Sequence, residues 1–165
     1  MATTRLGDNE VHTVGDLPQV GSTAPAEALT RADLRDVDVP TQGRAVLNVF
    51  PSVDTGVCAA SVRRFNELAA GLDGTSVFCV SVDLPFALRR FCGAEGIENV
   101  TTASAFRSTF GSDYGLTMAD GAMRGLLARS VFVLNDGVVS YVQLVPSIGQ
   151  EPDYEAVVTA VKALG

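Results

Sequence analysis

The stretch that decides the fold is Ala45-Val46-Leu47-Asn48-Val49-Phe50-Pro51-Ser52-Val53-Asp54-Thr55-Gly56-Val57-Cys58. Its first six residues form an apolar run that is typical of a buried strand, and Pro51 ends this strand. From Cys58 to Leu72 the apolar residues recur at helical spacing, with charged residues between them. We therefore predict a buried strand, a short loop and an amphipathic helix over residues 45–72.

The flanking sequence extends this unit. Ser76–Val82 is a second apolar strand, so residues 45–82 read as one β-α-β unit with parallel strands. Two later apolar runs, Ala128–Leu134 and Val138–Val145, are joined by Asn135-Asp136-Gly137, which is a strong hairpin signal. Three further elements are predicted, namely a hairpin around Gly7–Glu10, a short helix over Pro85–Phe91 that stops at Gly93, and a closing helix over Asp153–Leu164. Together they favour an α/β fold, a thioredoxin-like sandwich with a central mixed sheet flanked by helices and an N-terminal β-hairpin.

Length and composition exclude several classes of protein. A chain of 165 residues that is 47% hydrophobic and 19% charged is typical of one globular domain, 1–165. The net charge of −7 argues against nucleic acid or an anionic membrane as a partner. No apolar run approaches a spanning helix of about 18 residues. Since Met1–Asp8 lacks the apolar core of a signal peptide, we expect a cytoplasmic protein.

Cysteine chemistry is what the residue counts leave open. There are three cysteines and one histidine, and the cysteines are 21 and 13 residues apart, so neither a disulfide framework nor a zinc site is indicated. The single histidine and the absence of a G-x-S-x-G sequence argue against a serine hydrolase. We expect neither a metal nor an organic cofactor.

Cys58 is the cysteine placed for reactivity. It follows the carboxyl end of a predicted strand and lies in the first turn of a predicted helix, where free N–H groups and the helix dipole favour the thiolate. It could equally be a small core residue. Thr55 could cap the helix, place its hydroxyl near the sulfur, or do both.

Of three more candidate residues, Cys79 has one interpretation, and Cys92 and Arg129 each have two. Cys79 lies within an apolar strand and is expected to be inert core. Cys92 fits a half-buried residue at a helix end, but it could reach Cys58 if its helix loosens, because a disulfide needs Cα atoms within about 7 Å. Arg129 starts an apolar run, so it could reach out to solvent or lie beside the sulfur and stabilise the thiolate.

The spacing Pro51-x-x-x-Thr55-x-x-Cys58 resembles the P-x-x-x-T-x-x-C signature of the peroxiredoxins, and most closely the bacterial thiol peroxidase branch, the atypical two-cysteine type. The similarity runs over nearly the whole chain. The blocks that carry it are residues 48–55, 83–86, 90–96, 125–129 and 151–156.

This resemblance implies a role for each matching residue. Cys58 would be the peroxidatic cysteine that reduces hydrogen peroxide or an organic hydroperoxide and becomes a sulfenic acid. Cys92 would be the resolving cysteine, which forms an intramolecular disulfide with Cys58 that thioredoxin or a similar dithiol reduces. Thr55 and Arg129 would orient the peroxide, and Pro51 would shield the sulfur. The family commonly forms homodimers through the face that bears the active-site loops.

Two positions depart from the branch, and two rival functions remain. Gly56 stands where proline is usual, which predicts a looser turn before Cys58. Glu27 stands where an aromatic residue is usual. A thioredoxin-like thiol–disulfide oxidoreductase is disfavoured because no C-x-x-C occurs, and a binding module with inert core cysteines is the other rival.

Overall fold

The computed structural model describes residues 1–165 and contains nine strands and four helices. The strands are β1 Thr3–Leu6, β2 Asn9–His12, β3 Ala28–Arg31, β4 Asp36–Asp38, β5 Arg44–Val49, β6 Thr75–Ser81, β7 Thr101–Ser104, β8 Ser130–Asn135 and β9 Val138–Leu144. The helices are α1 Gly56–Ala69, α2 Pro85–Glu95, α3 Phe110–Asp113 and α4 Tyr154–Lys162.

Seven strands form one mixed sheet in the order β4-β3-β7-β6-β5-β8-β9. The central strands β5, β6 and β7 are parallel, and every other pair in the sheet is antiparallel. The predicted β-α-β unit is confirmed as β5-α1-β6. The sequences of β5 and β6 are nearly continuous apolar runs because both faces of each strand are covered.

The two faces of the sheet carry separate hydrophobic cores. One face is packed by α1, α2 and α4 through residues such as Phe65, Leu88 and Val157. The other is packed by the N-terminal hairpin, α3 and the segment that follows it, through residues such as Val11 and Tyr114. The predicted thioredoxin-like sandwich is therefore confirmed. None of the four helices combines the length and the apolar character that crossing a bilayer requires.

Both predicted hairpins are present. β1 and β2 form a two-stranded sheet of their own, in which Thr3 pairs with His12. Between β8 and β9, Asp136 has φ of 50° and Gly137 has φ of 77°. Positive φ at both positions is the geometry of a type I′ turn, for which Asp-Gly is a preferred sequence.

Parts of the pattern-based prediction were wrong or incomplete. Helix α2 does not stop at Gly93 but continues to Glu95, and the left-handed Gly96, with φ of 65°, ends it. A single glycine only weakens a helix, whereas a left-handed glycine terminates one. Strands β3, β4 and β7 and helix α3 lie where the pattern predicted no element. Each has only three or four residues, which is too short to show a clear period.

Candidate active site

Cys58 is the third residue of α1, and Thr55 caps the helix. Thr55 has extended backbone angles, and its hydroxyl oxygen accepts the Cys58 N–H at 3.4 Å. The Thr55 hydroxyl donates to the Ser52 carbonyl at 3.3 Å and not to the Cys58 sulfur. The capping interpretation of Thr55 is thus confirmed, and its hydroxyl proton is bonded to the loop that precedes α1.

Arg129 lies beside the Cys58 sulfur because of the sheet topology. It immediately precedes β8, and Ser130 of β8 pairs with Val49 at the carboxyl end of β5. Its Nη2 donates to Cys58 Sγ at 3.1 Å, while Nε and Nη2 donate to the Ile148 carbonyl at 3.0 and 2.8 Å. Only 1% of Arg129 is exposed. The alternative in which Arg129 reaches out to solvent is wrong.

No carboxylate lies within ion-pair distance of Arg129. No ion pair includes Arg129, and its Nη1 is buried without a hydrogen-bond acceptor. A buried cation is costly unless an anion compensates it. The Cys58 sulfur is the one side-chain group that accepts a hydrogen bond from Arg129, since its other partner is the Ile148 backbone carbonyl. Nη1 remains a donor for an oxygen that enters the site.

Arg129 is held from the far side by the N-terminal hairpin. The Ile148 carbonyl accepts from the guanidinium, and the Ile148 N–H donates to the Arg5 carbonyl of β1 at 2.8 Å. Thr4, also in β1, donates its hydroxyl to the Val145 carbonyl at 2.9 Å. No sequence pattern signals the two contacts of β1, because each joins residues more than 140 positions apart.

The loop before Cys58 is organised by Asp83, a residue that sequence reasoning gave no role. The Asp83 carboxylate accepts from the Ser52 hydroxyl at 2.7 Å, the Val53 N–H at 2.9 Å and the Ser81 hydroxyl at 2.6 Å. Pro51 is buried in this loop, and Cys58 has no exposed surface. The Cys58 sulfur is therefore shielded from solvent in this structure. Asp83 is a polar residue directly after a buried strand, and this position was the sequence signal that could have marked it as part of the site.

Cys92 lies in α2 with a different partner from Cys58. Its sulfur is 3.3 Å from the Thr102 hydroxyl oxygen on β7 and is partly exposed, and all three cysteines are free thiols. Thr102 lies on β7 and Arg129 directly precedes β8, and these two strands are separated in the sheet by β6 and β5. Three strand spacings amount to about 14 Å. The structure thus places Arg129 beside Cys58 and holds the Cys92 sulfur, in α2, beside Thr102. A disulfide between Cys58 and Cys92 would require α1 or α2 to loosen.

Cys79 lies inside the core, as its sequence position predicts. It is fully buried in β6, 3.7 Å from the Asn48 side-chain nitrogen. Burial raises the pKa of the Cys79 thiol to about 12. Since the thiolate is the reactive form, Cys79 is inert at neutral pH.

Gly56 and Glu27, the two residues that depart from the family pattern, lie in different environments. Gly56 is exposed as the first residue of α1, and a Cβ there would meet open space. Glu27 is 8% exposed and accepts the Thr109 hydroxyl at 3.3 Å, and the same hydroxyl lies 2.7 Å from Asp113. Burial and the neighbouring Asp113 raise the pKa of Glu27 to about 7. A polar cluster therefore takes the place of aromatic packing.

Comparison with known proteins shows the same relationship along the whole chain. Residues 19–158 match the Redoxin family model. The chain is 58% identical over 166 residues to the thiol peroxidase of Mycobacterium tuberculosis, covering 99% of this chain and 100% of that one. It is 56% identical to the thiol peroxidase of Corynebacterium glutamicum, covering 97% and 99%. A crystal structure of a peroxiredoxin-like protein from Aquifex aeolicus superposes with a TM-score of 0.95 at 43% identity, covering 100% and 98%. The chain therefore belongs to the redoxin family, within the thiol peroxidase branch of the peroxiredoxins.

Proposed function

We propose that this protein is a thiol-dependent peroxidase that reduces hydrogen peroxide and organic hydroperoxides through Cys58. The observation that carries the proposal is the 3.1 Å contact between Arg129 Nη2 and the Cys58 sulfur, in a site where the cation has no carboxylate. An inert core cysteine would have no need of a buried guanidinium, so this contact argues against the binding-module alternative.

In the first step the Cys58 thiolate attacks one peroxide oxygen. An S–O bond forms, the O–O bond breaks, and the other oxygen leaves as water or alcohol after taking up a proton. Negative charge grows on the leaving oxygen, so fixed donors contribute most at that point. Arg129 supplies one such donor in its free Nη1, and Pro51 keeps bulk water from the sulfur. Cys58 becomes a sulfenic acid.

In the second step Cys92 resolves the sulfenic acid. The Cys92 sulfur attacks the Cys58 sulfur, water leaves, and an intramolecular disulfide forms. The sulfur must first leave Thr102, and the start of α1 must open. The turn that contains Gly56 is suited to this opening, because glycine restrains the backbone least.

A dithiol protein such as thioredoxin then returns both cysteines to thiols. Two electrons pass from that dithiol to the disulfide, which matches the two electrons delivered to the peroxide. We place the protein in the cytoplasm, where such reductants keep thiols reduced. We also expect a homodimer, since Leu84 and Phe106 are 54% and 42% exposed on neighbouring loops at the active-site edge.

Cysteine substitutions test this assignment in a peroxide-dependent NADPH assay coupled through thioredoxin and its reductase. Cys58→Ser should abolish turnover. Cys92→Ser should be oxidised once and then stall, because no partner thiol resolves the sulfenic acid. Cys79→Ala, which removes the inert thiol, is the matched control and should keep turning over. Full turnover by Cys92→Ser would remove Cys92 from the mechanism.

A further inference from the structure

An exposed ion pair joins the loop before Cys58 to the helix that carries Cys92. Asp54 lies in that loop, directly before the N-cap Thr55, and Arg90 lies in α2, two residues before Cys92. The Arg90 Nη2 donates to Asp54 Oδ1 at 2.9 Å. Neither side chain has another ion-pair partner. This contact, the Asp54–Arg90 pair, therefore bridges the two segments whose sulfurs must meet.

The second half of α1 is joined to the end of α2 by firmer contacts. The Asn66 side-chain oxygen, in α1, accepts the Glu98 and Asn99 N–H groups at 3.1 and 2.7 Å. The Asn99 side-chain nitrogen donates to the Asn66 carbonyl at 3.1 Å. Arg63 of α1 also pairs with Glu95, the last residue of α2, at 3.4 Å. Since the hydrogen bonds involve backbone groups, we expect the second half of α1 to stay on α2 when the first turn of α1 unwinds.

The Asp54–Arg90 pair is, by contrast, a contact that forms and breaks easily. The Arg90 side chain is 67% exposed and the Asp54 side chain 63%. An exposed pair of this kind changes a conformational equilibrium by no more than about fivefold, and dissolved salt screens it. The pair is thus strong enough to bias the position of the loop and weak enough to open in every catalytic cycle.

We propose that Arg90 is a positioning residue for disulfide formation: through Asp54 it holds the loop before Cys58 against α2 and sets how often the first turn of α1 opens. The proposal rests on the peroxidase function proposed above. While the pair is closed, Cys58 stays beside Arg129, where the peroxide step takes place. When the pair opens, Cys58 is free to move towards Cys92. The Asp54–Arg90 pair therefore slows the second step of the proposed mechanism.

A slower second step has a chemical consequence. The sulfenic acid on Cys58 reacts either with the Cys92 thiol, which gives a disulfide and water, or with a second peroxide, which gives a sulfinic acid and water or alcohol. The first reaction is intramolecular, whereas the second speeds up with peroxide concentration. Loss of the Asp54–Arg90 pair should therefore lower the fraction of sulfinic Cys58 at a given peroxide dose.

Rapid-quench kinetics test this role of Arg90. The reduced protein is mixed with hydrogen peroxide at an ionic strength of about 0.01 M, where charges are little screened, then quenched with acid, alkylated and analysed by mass spectrometry. Arg90→Gln and Asp54→Asn should each form the disulfide about two- to fivefold faster than the parent. Sulfenic acid formation should not become faster, because opening does not help the first step. The double variant should be no faster than the faster single variant, since both substitutions remove the same contact.

Salt and a conservative replacement separate positioning by charge from a structural defect. An ionic strength of about 1 M should speed disulfide formation in the parent by a similar factor and leave Arg90→Gln unchanged, because only the parent has this ion pair to screen. Arg90→Lys should keep most of the parent's rate and salt dependence. Glu67→Gln, which breaks the 3.3 Å ion pair between Arg64 and Glu67 within α1, is the matched control and should behave like the parent.

Three outcomes would overturn the role of Arg90. They are equal rates of disulfide formation in the parent and Arg90→Gln at low salt, an equal effect of salt on both proteins, and a double variant in which the two single effects multiply. If the parent consumes no peroxide and forms no disulfide between Cys58 and Cys92, the proposed function itself is refuted.

Discussion

At the scale of single residues, the site depends on a charge that one sulfur balances. Arg129 is buried and bonded to a backbone carbonyl and to Cys58, with no carboxylate partner. Carbonyl groups solvate a cation but do not neutralise it. In the proposed mechanism Cys58 reacts as a thiolate beside this guanidinium. Its oxidation to a neutral sulfenic acid would then remove the counter-charge and favour the opening that Cys92 needs.

Removal of the sulfur should expose this dependence in the free energy of unfolding. Cys58→Ala should cost about 3 kcal/mol more than Cys79→Ala, because only the former leaves a buried cation uncompensated. Adding Arg129→Met to Cys58→Ala should recover most of the difference. Urea denaturation at pH 7 measures all three variants and the parent. Equal losses for the two cysteine substitutions would show that the Arg129 charge is balanced in another way.

At the scale of elements, the start of α1 is the segment that the proposed mechanism requires to move. The N-cap at Thr55 and the carboxylate of Asp83 order the loop, while Gly56 leaves its backbone loosely restrained. Gly56 has no backbone hydrogen bond from its N–H, and Thr55 has φ of −99° and ψ of 145°, which suits a residue before proline. The site could therefore accept proline without strain.

Gly56→Pro should raise the free energy of unfolding by up to about 1 kcal/mol, since proline restricts the unfolded chain at a position whose geometry it fits. The melting midpoint should rise by about 2–4 °C. Gly93→Pro, inside α2, is the matched control and should be strongly destabilising. The stiffer turn should also slow disulfide formation, visible by mass spectrometry as more sulfinic Cys58 at a given peroxide dose. A lowered midpoint for Gly56→Pro would contradict this account.

The elements also show what sequence reasoning could and could not reach. The β5-α1-β6 unit and the β8–β9 hairpin were predictable because long apolar runs and Asp136-Gly137 carry strong local signals. Strands β3 and β4 were missed because three or four residues show too little periodicity. Thr55 and Cys58 were singled out by their position at the start of a predicted helix and by the resemblance of their spacing to a family signature, and the structure places both there. The contacts that Asp83, Ile148 and Thr102 make in the site were not predicted, because they depend on which distant strands the topology brings together.

At the scale of the whole molecule, the sheet has a second titratable centre away from the cysteines. Glu27 precedes β3, and Asp113 ends α3, so their pair joins the edge of the sheet to the elements on its other face. The pKa of Glu27 is raised to about 7, first by burial and then by Asp113. Hydrogen bonding from Glu27 lowers the pKa of Asp113. The neighbouring Tyr114 is buried, and its hydroxyl donates to the Pro25 carbonyl.

This pair predicts how stability changes with pH. A carboxyl group whose pKa is raised on folding stabilises the folded state below its unfolded pKa of about 4.5, and that contribution is lost as the pH rises through 7. Glu27→Gln should therefore match the parent near pH 5 and exceed it by about 2 kcal/mol at pH 8. Glu98→Gln, at an exposed carboxylate, is the control. Chemical denaturation at both pH values measures the difference, and an identical gap at the two would rule out Glu27 as its source.

The first six residues, although remote in the chain, are part of the support of the active site. β1 holds the Ile148 N–H through the Arg5 carbonyl, and Ile148 in turn holds the guanidinium that faces Cys58. We therefore expect an affinity tag fused at the amino terminus, or removal of residues 1–6, to weaken the support of Arg129 beside Cys58. Purification handles for enzymology belong at the opposite terminus, behind α4.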